Sequence, residues 1–219
     1  MKIEINTKKI KEIKLGEEKY PKKLEHIYAK PQNLYVLGNE KLLDEKSIAI
    51  IGCRECTKSG ALNAYKFGYE LAERGICIIS GFARGIDTYA HKGAIAARGK
   101  TIAVLGCGLD IVYPAENLEL YKEILLFGGA IISEYPLGSK PEKLHFPNRN
   151  RLISGLSDGV LVVEAKKRSG TLITVDYALE QGRDVYAIPG DISNSNSYGT
   201  NELIKEGAIP VTKIEDFFM

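Results

Sequence analysis

From Ser47 onward one rhythm recurs along the chain: a short apolar run, a glycine, a polar loop, then an amphipathic stretch of helical period. The apolar runs are Ile48–Ile51, Ile76–Ser80, Thr101–Leu105, Ala130–Ser133, Val160–Glu164 and Val185–Ile188. They are near-continuous in Val, Ile, Leu and Ala. A strand with one wet face alternates apolar and polar residues, whereas a strand buried on both faces does not. Helical stretches fall between the runs, at Ala61–Arg74, Asp87–Arg98, Ala115–Phe127, Asn150–Leu156 and Thr171–Gln181. The pattern predicts a doubly wound α/β fold, a mostly parallel sheet between two helix layers.

Residues 1–46 break the rhythm. They are rich in Lys and Glu, with apolar anchors at Tyr20, Leu24, Ile27, Leu34 and Tyr35. We expect a short helical or extended lead-in docked on a domain at residues 47–219. From Thr200 the tail reads as a helix (Asn201–Glu206), a turn at Gly207, a short strand Ile209–Val211 and a last helical turn.

With a net charge of only +2, any affinity for nucleic acid must rest on a local basic patch. No apolar run reaches the length of a membrane span, and the first residues lack the apolar core of a signal peptide. A cytoplasmic location without membrane association is therefore expected. Of the four cysteines, Cys53 and Cys56 form a C-x-x-C between a strand and a helix. Two readings apply, a redox pair or plain buried and loop thiols, and the second is preferred. A four-thiolate zinc site would need a second close pair, which is missing.

Ligands of an open parallel sheet bind at the carboxyl ends of its strands. The loops there are GCRECTKSG (52–60), SGFARGID (80–87), GCGLDIVYPAEN (106–117), EAKKRSGTLIT (164–174) and PGDISNSNSYGTN (189–201). Each has glycines that let backbone amides approach a ligand, and several place Ser, Thr or Asp at a helix start. Arg54, Arg84, Lys166, Lys167 and Arg168 add charge on that edge. Just ahead of the fifth run stands Asn148-Arg149-Asn150-Arg151, with no acid among the four. Planar guanidinium forks at a fixed site suit phosphate. Known signatures are absent: no G-x-G-x-x-G, no P-loop and no nucleophile elbow. His26, His91 and His145 are dispersed, and His91 reads as an exposed structural residue. No catalytic residue, metal site or cofactor is assigned.

Several motifs in one order carry a resemblance. They are YPKKLEHIYAKPQNLYVLGN (20–39), the 52–60 loop, SGFARGIDTYAH (80–91), YPAEN (113–117), SEYPLG (133–138), HFPNRNRLISGLS (145–157), EAKKRSGTLITVDYALEQGR (164–183), VYAIPG (185–190) and GTNELIKEGA (199–208). The chain resembles the DNA-processing protein A (DprA, or Smf) family, which has an extended Rossmann-like core. The resemblance implies non-enzymatic binding of single-stranded DNA without strong sequence preference. It also implies delivery of that strand to the RecA recombinase, in natural transformation and recombination, by a homodimer. Carried over by motif, the strand-binding residues are Arg54, Gly81, Lys143, Phe146, Arg149, Asn150, Arg151 and the nest Ser169, Gly170 and Thr171; Arg84 joins them from the ligand edge.

Arg54, Arg149 and Arg151 would neutralise phosphates, and the Gly170 region would offer amides to one. Phe146 has two readings, a stacking surface for a base or a core aromatic at the helix start. The chain departs from the family in having Cys53 where Ser is usual and Ala115 where a basic residue is frequent. Against the family pattern we expect the N-terminal helical domain of many members to be shortened to residues 1–46, and the winged-helix-like C-terminal domain of some members to be missing. Two rivals share the frame. A phosphoribohydrolase-like enzyme would need a glutamate where Thr174 stands. A small-nucleotide sensor would use the same phosphate pocket as DNA.

Overall fold

A computed structural model describes residues 1–4 and 6–218. Nine strands form one sheet: β1 (Ile10–Lys14), β2 (Asn33–Gly38), β3 (Ser47–Gly52), β4 (Cys77–Ser80), β5 (Thr101–Val104), β6 (Ala130–Ser133), β7 (Gly159–Glu164), β8 (Asp184–Ala187) and β9 (Ile209–Pro210). Six α-helices join them: α1 (Lys58–Glu73), α2 (Ile86–Ala96), α3 (Leu118–Leu126), α4 (His145–Gly155), α5 (Gly170–Glu180) and α6 (Tyr198–Lys205). The strand order is β1-β2-β6-β5-β4-β3-β7-β8-β9. All pairings from β6 to β9 are parallel. The doubly wound, mostly parallel α/β fold follows from the two-sided burial of the strands.

That burial is visible residue by residue. In β3, Ile48 and Ile50 pack with Phe67 and Leu71 of α1 and Ala90 and Ala94 of α2. Ala49 and Ile51 face the other way, onto Leu152 of α4, Leu156 just after it, and Val175 and Ala178 of α5. Each fully buried Ile or Leu stabilises the fold by about 1.5–3 kcal/mol, so a run with no polar face is affordable only between two helix layers.

Residues 1–46 do more than dock. β1 and β2 extend the sheet as antiparallel strands, with β2 pairing β6 through Tyr35↔Ser133 and Val36↔Ile132. Between them Tyr20 and Leu24 are buried in the core layer of α4, and the Tyr20 hydroxyl donates to Pro31 O at 3.0 Å. Lys23 Nζ bonds Asp158, Ser47 Oγ and Glu45 O, tying this segment to the start of β3.

Where the chain reverses direction across the sheet, β3 lies between β4 and β7. The carboxyl ends there form the crevice in which such sheets bind ligands. Gly85, at φ +71°, opens α2 in that crevice; a Cβ on it would meet Cys53 O at 2.3 Å.

His91 differs from the expected exposed position. α2 is covered by both α1 and the sheet, so the imidazole is fully buried. The Thr101 hydroxyl donates to Ile78 O, which leaves its oxygen to accept from His91 Nδ1 at 2.7 Å. Burial, aided by nearby Arg149, lowers the His91 pKa to about 3.

Candidate functional site

A cleft of about 690 Å³ opens over the ends of β3 and β7. One wall is the loop after β3, with Arg54 and Glu55; the second is the first turns of α4, with Phe146, Arg149 and Asn150. The third is the loop from β7 into α5, with Lys166, Arg168, Ser169, Gly170 and Thr171. Lys143 and Tyr113 stand at the rim, and Asp87 lies on the floor. Arg54, Lys143, Lys166 and Arg168 are exposed, so the mouth is cationic.

The Arg54 guanidinium lies over the Phe146 ring, 5.5 Å from its centroid, and Tyr113 flanks the same ring at 5.5 Å. Phe146 is half-buried in the cleft wall, outside the buried core. This places a half-buried aromatic ring beside an exposed cation, the chemistry that the stacking reading requires.

Arg149 is 4% exposed. Its Nη1 donates to Gly81 O at 2.6 Å and to Val104 O, and its Nε donates to Asn150 Oδ1 at 3.2 Å. Nη2 takes no acceptor from the described residues, and Arg149 lines the cleft. Desolvation lowers the guanidinium pKa to about 10, which leaves it protonated at neutral pH. A partly desolvated cation with an open donor suits an anion. Gly81 is needed there: a Cβ would meet Arg149 Nη2 and Asp87 Oδ2, each at 2.8 Å.

Acids from elsewhere in the chain approach both arginines of the block. Asp87 shares the buried floor with Arg149 and accepts from Ala83 N at 3.2 Å; burial pushes its carboxyl pKa up, and Arg149 opposes that. Arg151 lies outside the cleft. Its Nη1 and Nη2 grip Glu134 at 2.7 and 2.6 Å, and its Nε donates to Ala29 O at 2.8 Å. Two helical residues separate the arginines by roughly 200°, so they leave α4 on opposite sides. Arg151 fastens the N-terminal segment to α4 through Ala29 O.

The expected amide nest is also smaller. Ser169 caps α5, and its Oγ accepts from Thr171 N at 3.2 Å, so that amide is engaged. Asn150 Nδ2 reaches Gly170 O at 3.4 Å, joining α4 to this loop across the cleft. Arg84 is exposed beside the cleft and pairs with Glu116. Ala115 precedes that glutamate on the surface.

The reading of the sequence missed Glu164. This buried carboxylate ends β7 and accepts from Thr57 N at 3.0 Å, from the Thr57 hydroxyl and from Asn196 Nδ2 at 3.1 Å. It thereby ties together three of the loops at the ligand edge. An acid closing a fully apolar strand was the available signal. All four cysteines are free; burial raises the Cys53 and Cys56 thiols, so neither is an activated thiolate. Among the described residues no cluster of three His, Cys, Asp or Glu could hold a metal ion, and no helix is long and apolar enough to cross a membrane. Thr174 lines the cleft where the rival hydrolase would need its glutamate.

A family model described as DNA recombination-mediator protein A matches residues 11–219. DNA processing protein DprA of Streptococcus pneumoniae is 48% identical over 197 residues, 90% of this chain and 69% of that protein. Its X-ray structure superposes with a TM-score of 0.90 at 45% identity, covering 96% of this chain and 74% of that one. Protein Smf of Escherichia coli is 47% identical over 199 residues, 91% of this chain but only 53% of Smf. The structure of DNA processing protein A from Helicobacter pylori, solved for its single-stranded DNA binding mode, gives a TM-score of 0.85 at 33% identity. That match covers 95% of this chain and 93% of that one.

Proposed function

The chain belongs to the DNA recombination-mediator protein A family, and from that premise we propose that it is a non-enzymatic single-stranded DNA-binding protein. The strand lies in the cleft over β3 and β7, with little sequence preference. The observation that carries this reading is the pairing of Arg54 with Phe146 at 5.5 Å, beside the open Nη2 of Arg149. A cation for the phosphate and an aromatic face for the base are what a sequence-tolerant single-strand binder needs. Arg54, Gly81, Lys143, Phe146, Arg149, Asn150 and Gly170 form the contact set, with Arg84 at its edge. That the Helicobacter pylori relative is described as binding single-stranded DNA supports this class of ligand.

The protein acts in the cytoplasm as a homodimer and passes the strand to RecA. The role we assign is non-enzymatic: the buried Asp87 carboxylate accepts from Ala83 N, and Thr174 stands where the rival hydrolase would need its glutamate. Affinity for single- and double-stranded DNA of equal length, measured at two salt concentrations, tests the reading. Preference for the single strand, with affinity falling steeply as salt rises, is expected. Tight binding of a mononucleotide with little salt dependence would favour a nucleotide sensor. Release of free base from a nucleoside monophosphate would make the protein a hydrolase.

A further inference from the structure

Beside the cleft, on its β8 side, lies a second pairing of cation and aromatic ring. Lys167 Nζ stands 5.2 Å from the centroid of the Tyr198 ring, which is 42% exposed at the start of α6. Lys167 is the one residue between Lys166 and Arg168, both of which line the cleft. Ahead of Tyr198 runs the loop Pro189–Ser195, with Ile192 at 96% exposure, the most exposed large apolar side chain described.

The backbone that carries Tyr198 and the loop ahead of it is held in place. Asn201 of α6 bonds Gly190 N at 3.1 Å and Gly190 O at 3.0 Å, fixing the loop on the helix. Gly199 N donates to Ala165 O at 2.7 Å, and Ala165 N donates to Asn196 O at 2.8 Å. The platform is thereby coupled to the chain that builds the cleft wall. The neighbouring Asp191 carboxylate is turned onto Ser193, accepting from its amide and hydroxyl at 2.8 Å each.

We propose that Tyr198, with Lys167 and the protruding Ile192, forms a second stacking platform, over which the DNA single strand runs as it leaves the cleft past Arg168. The inference rests on the single-strand reading above and adds a direction to it. The chemistry repeats that of Arg54 and Phe146: a cation for a phosphate and an aromatic face for a base. Continuity with the basic 166–168 wall favours nucleic acid over an apolar protein surface as the occupant.

The test compares oligo-dT of roughly 6 and roughly 20 nucleotides, lengths that span the cleft alone or the cleft and platform. Tyr198→Ala is expected to lose about ten-fold affinity for the longer strand and to bind the shorter one as wild type does, while Tyr198→Phe keeps both. A strand carrying 5-iodouracil is expected to crosslink at Tyr198 only when long. Wild-type binding of both strands, unchanged in Tyr198→Ala, would overturn the platform and leave the cleft reading standing. A wild-type protein that binds neither strand would overturn both. Loss of RecA binding in Tyr198→Ala, with both DNA affinities intact, would reassign the surface to a protein partner.

Discussion

Helix α4 carries two arginines two residues apart, and its two sides treat them in opposite ways. On the cleft side, Arg149 is held by the carbonyls of Gly81 and Val104, with Nη2 left open and Asp87 nearby but outside ion-pair contact. On the rear side, Arg151 makes a two-pronged pair with Glu134 and also bonds Ala29 O and Asn148 O. The difference teaches that burial alone does not decide whether an arginine keeps a donor open. What separates the two is whether the protein supplies a counter-charge in contact. Carbonyls fix a guanidinium without neutralising it, whereas a carboxylate completes it.

The largest expected effect lies on the rear side. Arg151→Ala strands Glu134 in a mostly buried position. Breaking such a pair costs about 3–5 kcal/mol, so the melting temperature should fall by roughly 10 °C or more. The folded protein should still bind oligo-dT normally. An unaltered melting temperature with weakened binding would place Arg151 on the ligand side and break the comparison.

Next comes the interior beneath Arg149. His91 has a folded-state pKa of about 3, below the ordinary histidine value. The unfolded chain therefore takes up the proton first. Stability from this group is full above pH ~6.5 and declines as pH falls toward 3, by at most about 1.4 kcal/mol per pH unit. Denaturant midpoints measured across that range should show a shallower decline for His91→Asn than for wild type. Equal slopes would mean the imidazole accepts a proton where it lies.

On the cleft side, Arg149→Lys keeps the charge but loses the planar fork. Roughly ten-fold weaker oligo-dT binding in a titration is expected, and equal affinity would deny Arg149 a ligand contact. Arg54→Ala should weaken binding by about ten-fold and reduce the salt slope by about one, with no change in melting temperature. The smallest effect is at the edge. Glu116→Gln frees exposed Arg84, and a gain of about two-fold in affinity at low salt should vanish at high salt.

Much of this was legible in the residue pattern. Each apolar run from Ile48 to Ile188 is a strand, within a residue or two at its ends, because two-sided burial leaves little room for polar side chains. The loops at one sheet edge were legible too, since glycines and helix-starting Ser and Thr have few other uses together. Residues 10–14 and 33–38 were harder. β1 is an edge strand carrying Lys and Glu, β2 opens with Asn33, and together they read as a charged lead-in until β2 finds β6. His91 was misread because α2 exposes Tyr89 and Lys92, while His91, between them in the chain, turns into the packed side.

The amino-acid sequence by itself determined the α/β rhythm, the strands' two-sided burial and the edge at which ligands meet the sheet, because these depend on local order and on period. Tertiary structure decided the meaning of the Asn148–Arg151 block. Glu134, Ala29, Gly81 and Val104 come from four distant segments, and only the fold brings them to one helix. It also decided that Glu164 would bind three loops together and that Arg149 would keep an open donor. A charge takes its role from the groups within hydrogen-bond reach, and in a wound sheet those groups are set by topology and not by neighbours in the chain.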